Sequence, residues 1–582
     1  MKKAHTRAFL ALVGLCGSSA YAQTVINFNN LLWPDYGGTN AHVLKTTNAD
    51  LIDAQSRTVI PFAGPSPTDD NGNIQFATNY STVDAGGNIE AQLQLVDSIP
   101  GIATAYGSTA AGANPLQITL PAVYLVPPNQ VSTYNNVSFT SATDNPDAAK
   151  MFEVLQFVKF MHDYYGNVAT FNATLPAIRI NYLSTNTGSS MGGGVMKLGY
   201  TDWGNIDVIL HEYGHHVAEN NNIEAAGLGL DHTFNSDSIG NLYNPDPVHS
   251  IGNKGKLPGS QLAWQEGIAT YLAQVAIADG NLNAAISNLP ADSRNFAYDS
   301  YTPAPNATTV SATDFSYSVS INTLDLQLGA FVEPDPEADN PPAVAGNPPF
   351  QSRGGGEGDE MSVMRTLWDF ENNTNVEGYA RAGQGDASHF GSQKIFSLMK
   401  GVAAATKGTF YGFWQSINAD VRTPADKPLV GLAAADPDAK AVALLGSTLE
   451  QNDISSIPMT LGAQLTTKPT IQWTEENADN STKFEVLIYS SDWKTLILQS
   501  PQINDQNPGV LNGIGSYTLT TDLDPGTYEY VILNSPATAT AADLNSIYNW
   551  YWSGDALISV PEPTCLAISL VTFTLLTRRK RA

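Results

Sequence analysis

Apolar residues return along this chain at two different intervals, and the interval changes twice. From about residue 24 to residue 143 the runs are short and often alternate: Thr24–Phe28, Asn73–Phe76, Ala91–Val96 and Leu116–Val126. Polar clusters such as Asp69-Asp70-Asn71-Gly72 separate them. Short period-two runs between turn signals predict β-strands and hence a β-rich module, either a sandwich or a propeptide-like unit. The acidic cluster could hold calcium, but it lacks the ligand spacing of a calcium loop and reads as a solvated turn.

The interval lengthens at Asp144-Asn145-Pro146, a cap residue followed by proline in the first turn. Met151, Val154, Leu155, Val158 and Met161 then stand at helical spacing and predict one apolar face, with His162 near its end as a packing or capping residue. A β run at Ala177–Leu183 and a glycine-rich hairpin at Ser189–Gly199 come next. Helical patterns follow at Ile206–Val217, at Leu262–Leu272, expected to be amphipathic with Glu266 near its start, and at Ser362–Phe370 after Gly358-Asp359-Glu360-Met361. Beyond Asn452 the short interval returns in Thr470–Trp473, Lys483–Tyr489, Thr495–Leu498, Ser516–Thr520 and Thr527–Leu533, spaced as in a β-sandwich. Phe484, Val486 and Ile488 mark a strand with one buried face. The expected organisation is multidomain: a β-rich module over 23–143, an α+β domain over 144–452 and a C-terminal β-sandwich over 453–559.

Composition narrows the partners and the chemistry. The 582 residues are too many for one compact domain, and 42% hydrophobic residues suffice for several cores. A formal net charge of -27 repels phosphate backbones, which argues against nucleic acid as a partner. The only cysteines, Cys16 and Cys565, lie in terminal apolar segments. The body of the chain therefore has no internal disulfide, thiol nucleophile or cysteine-ligated metal.

One motif carries chemistry. His211-Glu212-Tyr213-Gly214-His215 is H-E-x-x-H on a predicted helix with an apolar lead-in, Val208-Ile209-Leu210. Two histidines one helical turn apart share a face and can reach one Zn²⁺. Glu212, beside the first ligand, is placed to act as general base on a water without itself coordinating the ion. A catalytic zinc site needs a third protein ligand. The metzincin pattern fails, because Ala218 and Asn221 stand where it requires glycine and histidine.

Glu266-Gly267-Ile268-Ala269-Thr270-Tyr271 supplies a candidate. E-G-x-A-x-Y after H-E-x-x-H resembles the second zinc helix of the gluzincins, the thermolysin-like and fungalysin-like metallopeptidases. The resemblance implies a zincin-like fold, Zn²⁺ as cofactor, a peptide or protein as substrate and Glu266 as the third ligand beside His211 and His215. It gives Ser189–Gly199 the role of an edge strand that pairs with extended substrate, and Ser362–Phe370 that of a scaffold helix. The stretch 220–260 makes the His215-to-Glu266 gap longer than in thermolysin and reads as an inserted loop. An oxyanion-stabilising partner is not marked by any motif; His389, Tyr301 and Tyr317 are candidates, and His216, His232 and His249 stay unassigned. The C-terminal sandwich resembles a fibronectin type III domain.

Both ends read as address labels. Basic Lys2, Lys3 and Arg7, the apolar run Ala8–Cys16 and Ala20-Tyr21-Ala22 form a signal peptide over 1–22. Pro561-Glu562-Pro563, an uncharged run Thr564–Thr577 and Arg578-Arg579-Lys580-Arg581 resemble the PEP-CTERM sorting segment of Gram-negative bacteria, here 560–582. That resemblance implies transient membrane contact, cleavage by an exosortase-type processing enzyme, and release or retention at the cell surface or matrix. Two functions are expected to compete: an exported zinc metallopeptidase, and a surface or matrix adhesion protein whose metallopeptidase domain is vestigial.

Overall fold

The computed structural model describes residues 23–562 apart from internal stretches, the longest being 225–256, 281–299, 302–314, 318–359 and 372–389. The expected signal peptide, most of the sorting segment, His232, His249 and His389 lie outside the described residues, as does most of the expected insertion. Among the described residues the chain has mixed α and β content, with several sheets and seven α-helices.

The N-terminal strands form two sheets around their own core. Val131–Asn135, Thr24–Asn29 and Ile74–Thr78 make one sheet, and Tyr124–Val126, Ile89–Val96 and Ala49–Asp53 the other. Ile26, Phe28, Phe76, Leu51, Leu93 and Leu95 fill the space between. The run expected at Leu116–Val126 is two strands, Gln117–Thr119 and Tyr124–Val126. Pro121 falls in the break, where it has no N–H to give to a ladder. The acidic turn closes on itself: Asp69 accepts from the backbone N–H groups of Asn71 and Asn73 and from the Asn73 amide.

The sheet that bears on the site crosses the boundary expected at residue 143. Its strands are β1 (Ser98–Ile99), β2 (Ala103–Tyr106), β3 (Ile178–Leu183), β4 (Ser190–Gly192) and β5 (Val195–Gly199), in the order β4-β5-β3-β2-β1. β3 runs parallel to both β2 and β5, so a strand from the N-terminal stretch lies beside one from the helical stretch. β4 and β5 form the expected hairpin, turned by Gly193 and Gly194 at φ 56° and 76°, a left-handed pair that glycine adopts without steric cost.

Helix α1 (Pro146–Tyr165) joins the two cores. Ala148 and Phe152 enter the N-terminal core, while Met151, Val154, Leu155 and Val158 enter a larger one shared with α2 (Ile206–Asn220) and α3 (Leu257–Asp279). The apolar face expected of α1, Met161 included, thus enters one core, and Ala148 and Phe152 add a second face towards the other. Lys150 and Glu153 are buried between them, and the Lys150 ammonium reaches the Tyr182 hydroxyl at 3.2 Å.

α3 departs further from expectation. It starts earlier and runs longer than 262–272, which places Glu266 in its interior, and every residue from 262 to 277 is buried. A helix covered on all sides is an interior helix, not an amphipathic one. Its neighbours are α1, whose Tyr165 hydroxyl donates to the Leu272 carbonyl at 2.7 Å, and α4 (Glu360–Glu371), whose Glu371 accepts from the Tyr271 hydroxyl at 2.6 Å.

The C-terminal strands form a two-sheet sandwich. Ile471 and Trp473 of the smaller sheet meet Phe484, Val486, Ile488 and Ile532 of the larger. The expected single buried face of Lys483–Ser490 is half the picture. Leu487 and Tyr489, on the opposite face, join the helical core with Val531 and Leu533. Helices α5 (Ser392–Gly401), α6 (Phe410–Val421) and α7 (Asp438–Gln451) complete that core, and Trp414 of α6 donates its indole N–H to the Trp550 carbonyl at 2.8 Å. A strand covered on both sides loses its polar alternation, so periodicity alone shows one partner and misses the other.

α2 and α3 touch at Gly214. A Cβ built there would stand 2.4 Å from the Ala269 carbonyl oxygen and 2.9 Å from its Cα. In an isolated helix Gly→Ala is stabilising by about 1 kcal/mol. Here the clash is with backbone, and overpacking of this kind costs about 1–3 kcal/mol. Gly214→Ala is expected to lower the melting temperature by several degrees; a higher melting temperature by calorimetry would show that the helices do not meet at this point.

Candidate metal centre

The close approach at Gly214 sets the distance between the faces that flank it. His211 and His215 lie one turn apart on α2, and Glu266 faces them from α3. The Nε2 atoms of the two histidines are 3.2 Å apart. Glu266 Oε2 is 3.1 Å from Nε2 of His211 and 3.3 Å from Nε2 of His215. The three donor atoms form a nearly equilateral triangle within one 4.8 Å cluster. Donors arranged tetrahedrally at 2.0–2.1 Å from an ion stand about 3.3 Å apart. The triangle thus matches one face of such a tetrahedron, and this buried group could bind a metal ion.

The electrostatics point the same way. Two imidazole lone pairs at this separation repel unless a proton or a cation lies between them. Glu266 is buried, and a buried carboxylate needs a compensating charge. Burial works against a charged His215, yet Glu266 and Glu224 together hold its pKa well above the ordinary histidine range. The surroundings of His215 thus favour a positive charge at the cluster, on the ring or on a bound cation.

The far sides of both rings are also held. Nδ1 of His211 lies 2.8 Å from the Thr270 hydroxyl, and Nδ1 of His215 lies 2.9 Å from Oε1 of Glu224. With Nδ1–H donated outward, each ring turns its Nε2 lone pair inward, the tautomer that a metal ligand requires. Glu224 itself is pushed up to about 7 by burial, against the opposing pull of His215. Sequence reasoning missed both partners. Thr270 had a legible signal, because it stands four residues after Glu266 and so on the same helix face. Glu224 had none, since its position depends on the turn after α2.

Glu212 follows His211 on α2 and is buried at the site, outside the donor triangle. His216 is accounted for: its Nε2–H donates to the Pro176 carbonyl at 2.9 Å, and Asn220 donates to its Nδ1 at 3.0 Å. Burial lowers its pKa to about 4, so it is a neutral packing residue. His162 lies beside Asp163 at 3.5 Å in the last turn of α1. The backbones of Tyr301 and Tyr317 belong to a two-stranded pair, while their side chains lie outside the described residues. The edge strand β4 packs beside α2, with its outer backbone edge unpaired by any described strand.

No family model matches the chain, and no curated protein is similar to it. Among the described residues no helix is long and apolar enough to cross a membrane.

Removing one vertex of the triangle tests the centre directly. Glu266→Ala leaves two imidazoles and no anionic donor, and is expected to abolish stoichiometric metal retention after dialysis. Metal analysis showing one tightly held ion per variant chain would place the third donor elsewhere.

Proposed function

We propose that the chain is an exported zinc metallopeptidase that hydrolyses peptide bonds at the His211–His215–Glu266 cluster. The observation that carries this reading is the donor triangle, two nitrogens and one oxygen at tetrahedral spacing, with a buried carboxylic residue next in sequence to the first ligand. The N₂O donor set suits Zn²⁺ and matches the set used where zinc is catalytic. Zinc held there supplies Lewis acidity and brings the pKa of water towards about 7.

The residues of the chain then divide the work. His211, His215 and Glu266 would hold the ion. Glu212 accepts the proton of the attacking water and delivers it to the leaving amine, so that no charged amide leaving group forms. Strand β4, at the edge of its sheet beside α2, offers backbone donors and acceptors to an extended peptide, which would add to the sheet as one more strand. The sandwich that follows serves as a spacer or binding module. The apolar and basic segments at the two ends fit export followed by C-terminal processing near Pro561–Pro563.

Glu212→Gln separates catalysis from metal binding, because the amide keeps the shape and cannot accept the proton. The variant is expected to retain its metal and melting temperature and to lose about 10²–10⁴-fold in turnover of a labelled peptide library. Turnover within a few-fold of the parent chain would exclude Glu212 as the base. No chelator-sensitive hydrolysis by the parent chain would favour the adhesion reading. Processing is checked by mass spectrometry of the mature protein from its native host: the expected C-terminus lies near Pro561–Pro563, and an intact end through Arg581 would overturn it.

A further inference from the structure

The turn that ends α2 has a defined geometry. Asn222 adopts φ 62°, in the left-handed region that asparagine tolerates better than most residues. Its N–H bonds to the Glu219 carbonyl at 3.2 Å, and the N–H of Ile223 reaches back to Ala218 at 2.9 Å. These two bonds are the pair that closes a helix with a left-handed residue after its last turn. The turn is also tied from outside. Ile223 is buried, and its carbonyl accepts the indole N–H of Trp264 on α3 at 3.3 Å. Asn221 exchanges two hydrogen bonds with the backbone of Thr174, at 2.9 and 3.2 Å. The next residue is Glu224, whose side chain keeps 8% of its surface exposed and lies on His215.

We propose that Glu224 is a positioning residue of the metal centre. Its carboxylate accepts the Nδ1 proton of His215 and aims the Nε2 lone pair at the cluster, and the left-handed turn at Asn222 exists to deliver it there. The inference rests on the metal reading above and goes beyond it in assigning the two histidines unequal parts. His211 has a neutral hydroxyl behind it, from Thr270. His215 has a carboxylate. A charge-assisted hydrogen bond is roughly twice as strong as a neutral one. His215 is therefore the more firmly oriented and more basic ligand, and the stretch after α2 contributes to metal affinity without touching the ion.

The test uses the full mature chain and three variants, Glu224→Gln, Glu224→Ala and Thr270→Val. Zinc affinity is measured by competition with a chelator of known affinity, and the site is also loaded with Co²⁺ for its visible absorption. Loss of such a partner typically costs 10–100-fold in affinity. Glu224→Ala is expected to lose about 100-fold, near the upper end of that range. Glu224→Gln, which keeps an oxygen acceptor but not the charge, should lose about tenfold, and Thr270→Val less than Glu224→Ala. The Co²⁺ absorption should shift in Glu224→Ala and be partly restored in Glu224→Gln. Parent-like affinity and absorption in both Glu224 variants would overturn the proposal while leaving the metal centre intact. An equal fall in melting temperature for Glu224→Ala with zinc and with excess chelator, at unchanged affinity, would also overturn it, by showing a purely structural role. A parent chain that takes up neither metal would remove the metal reading itself.

Discussion

The candidate site depends on how closely two helices approach. α2 carries the histidines and α3 carries Glu266, and their axes can come together only because position 214 has no side chain to meet Ala269. The consequence is quantitative. Donor atoms from residues 55 apart in sequence fall 3.1 Å from one another, and a displacement of even one ångström would put Glu266 out of reach of an ion held by the histidines. Glycine is a weak helix former, so its presence inside α2 carries a local cost of about 1 kcal/mol relative to alanine. The packing of a fully buried α3 offsets that cost many times over, since each large apolar side chain taken from water contributes about 1.5–3 kcal/mol.

Burial makes the same site electrostatically demanding. Glu212, Glu224 and Glu266 lie within or next to an apolar core, where an uncompensated carboxylate is strongly disfavoured. The surroundings of His215 favour a positive charge there, and an ion of charge two would answer the demand more fully. Thr270 and Glu224 orient the rings so that such an ion meets lone pairs and not N–H groups. Structural and chemical requirements thus converge on one arrangement of six side chains.

The scaffold around the helices is shared between stretches of sequence that read as separate. α1 is buried on both sides because it seals the N-terminal core and the helical core together. β2 comes from the N-terminal stretch and pairs directly with β3. The larger sheet of the C-terminal sandwich packs its second face on the helices through Leu487, Tyr489, Val531 and Leu533. β1 and β2, both from the N-terminal stretch, are therefore part of the sheet that supports the edge strand β4, so removing everything up to residue 143 would break that sheet.

Sequence by itself determined what depends on short intervals. The spacing of His211 and His215 follows from 3.6 residues per turn, so the shared face of two candidate ligands was legible before any packing was known. The strand-helix-strand texture, the helix start at Pro146 and the hairpin around Gly193-Gly194 were legible for the same reason, each being set by the conformational preferences of neighbouring residues. Glu266 was reachable through the pattern of its helix and the motif around it. Tertiary structure decided everything that needs two distant segments to meet: that α3 is buried on every side, that Lys483–Ser490 is covered on both faces, and that Glu224 stands behind His215. Periodicity records whether a face is apolar and not which element covers it. The place of Glu224 follows from a left-handed turn at Asn222 tied down by Trp264, which lies 41 residues from the carbonyl it holds. No local interval encodes such a contact, because only the folded chain brings its two ends together.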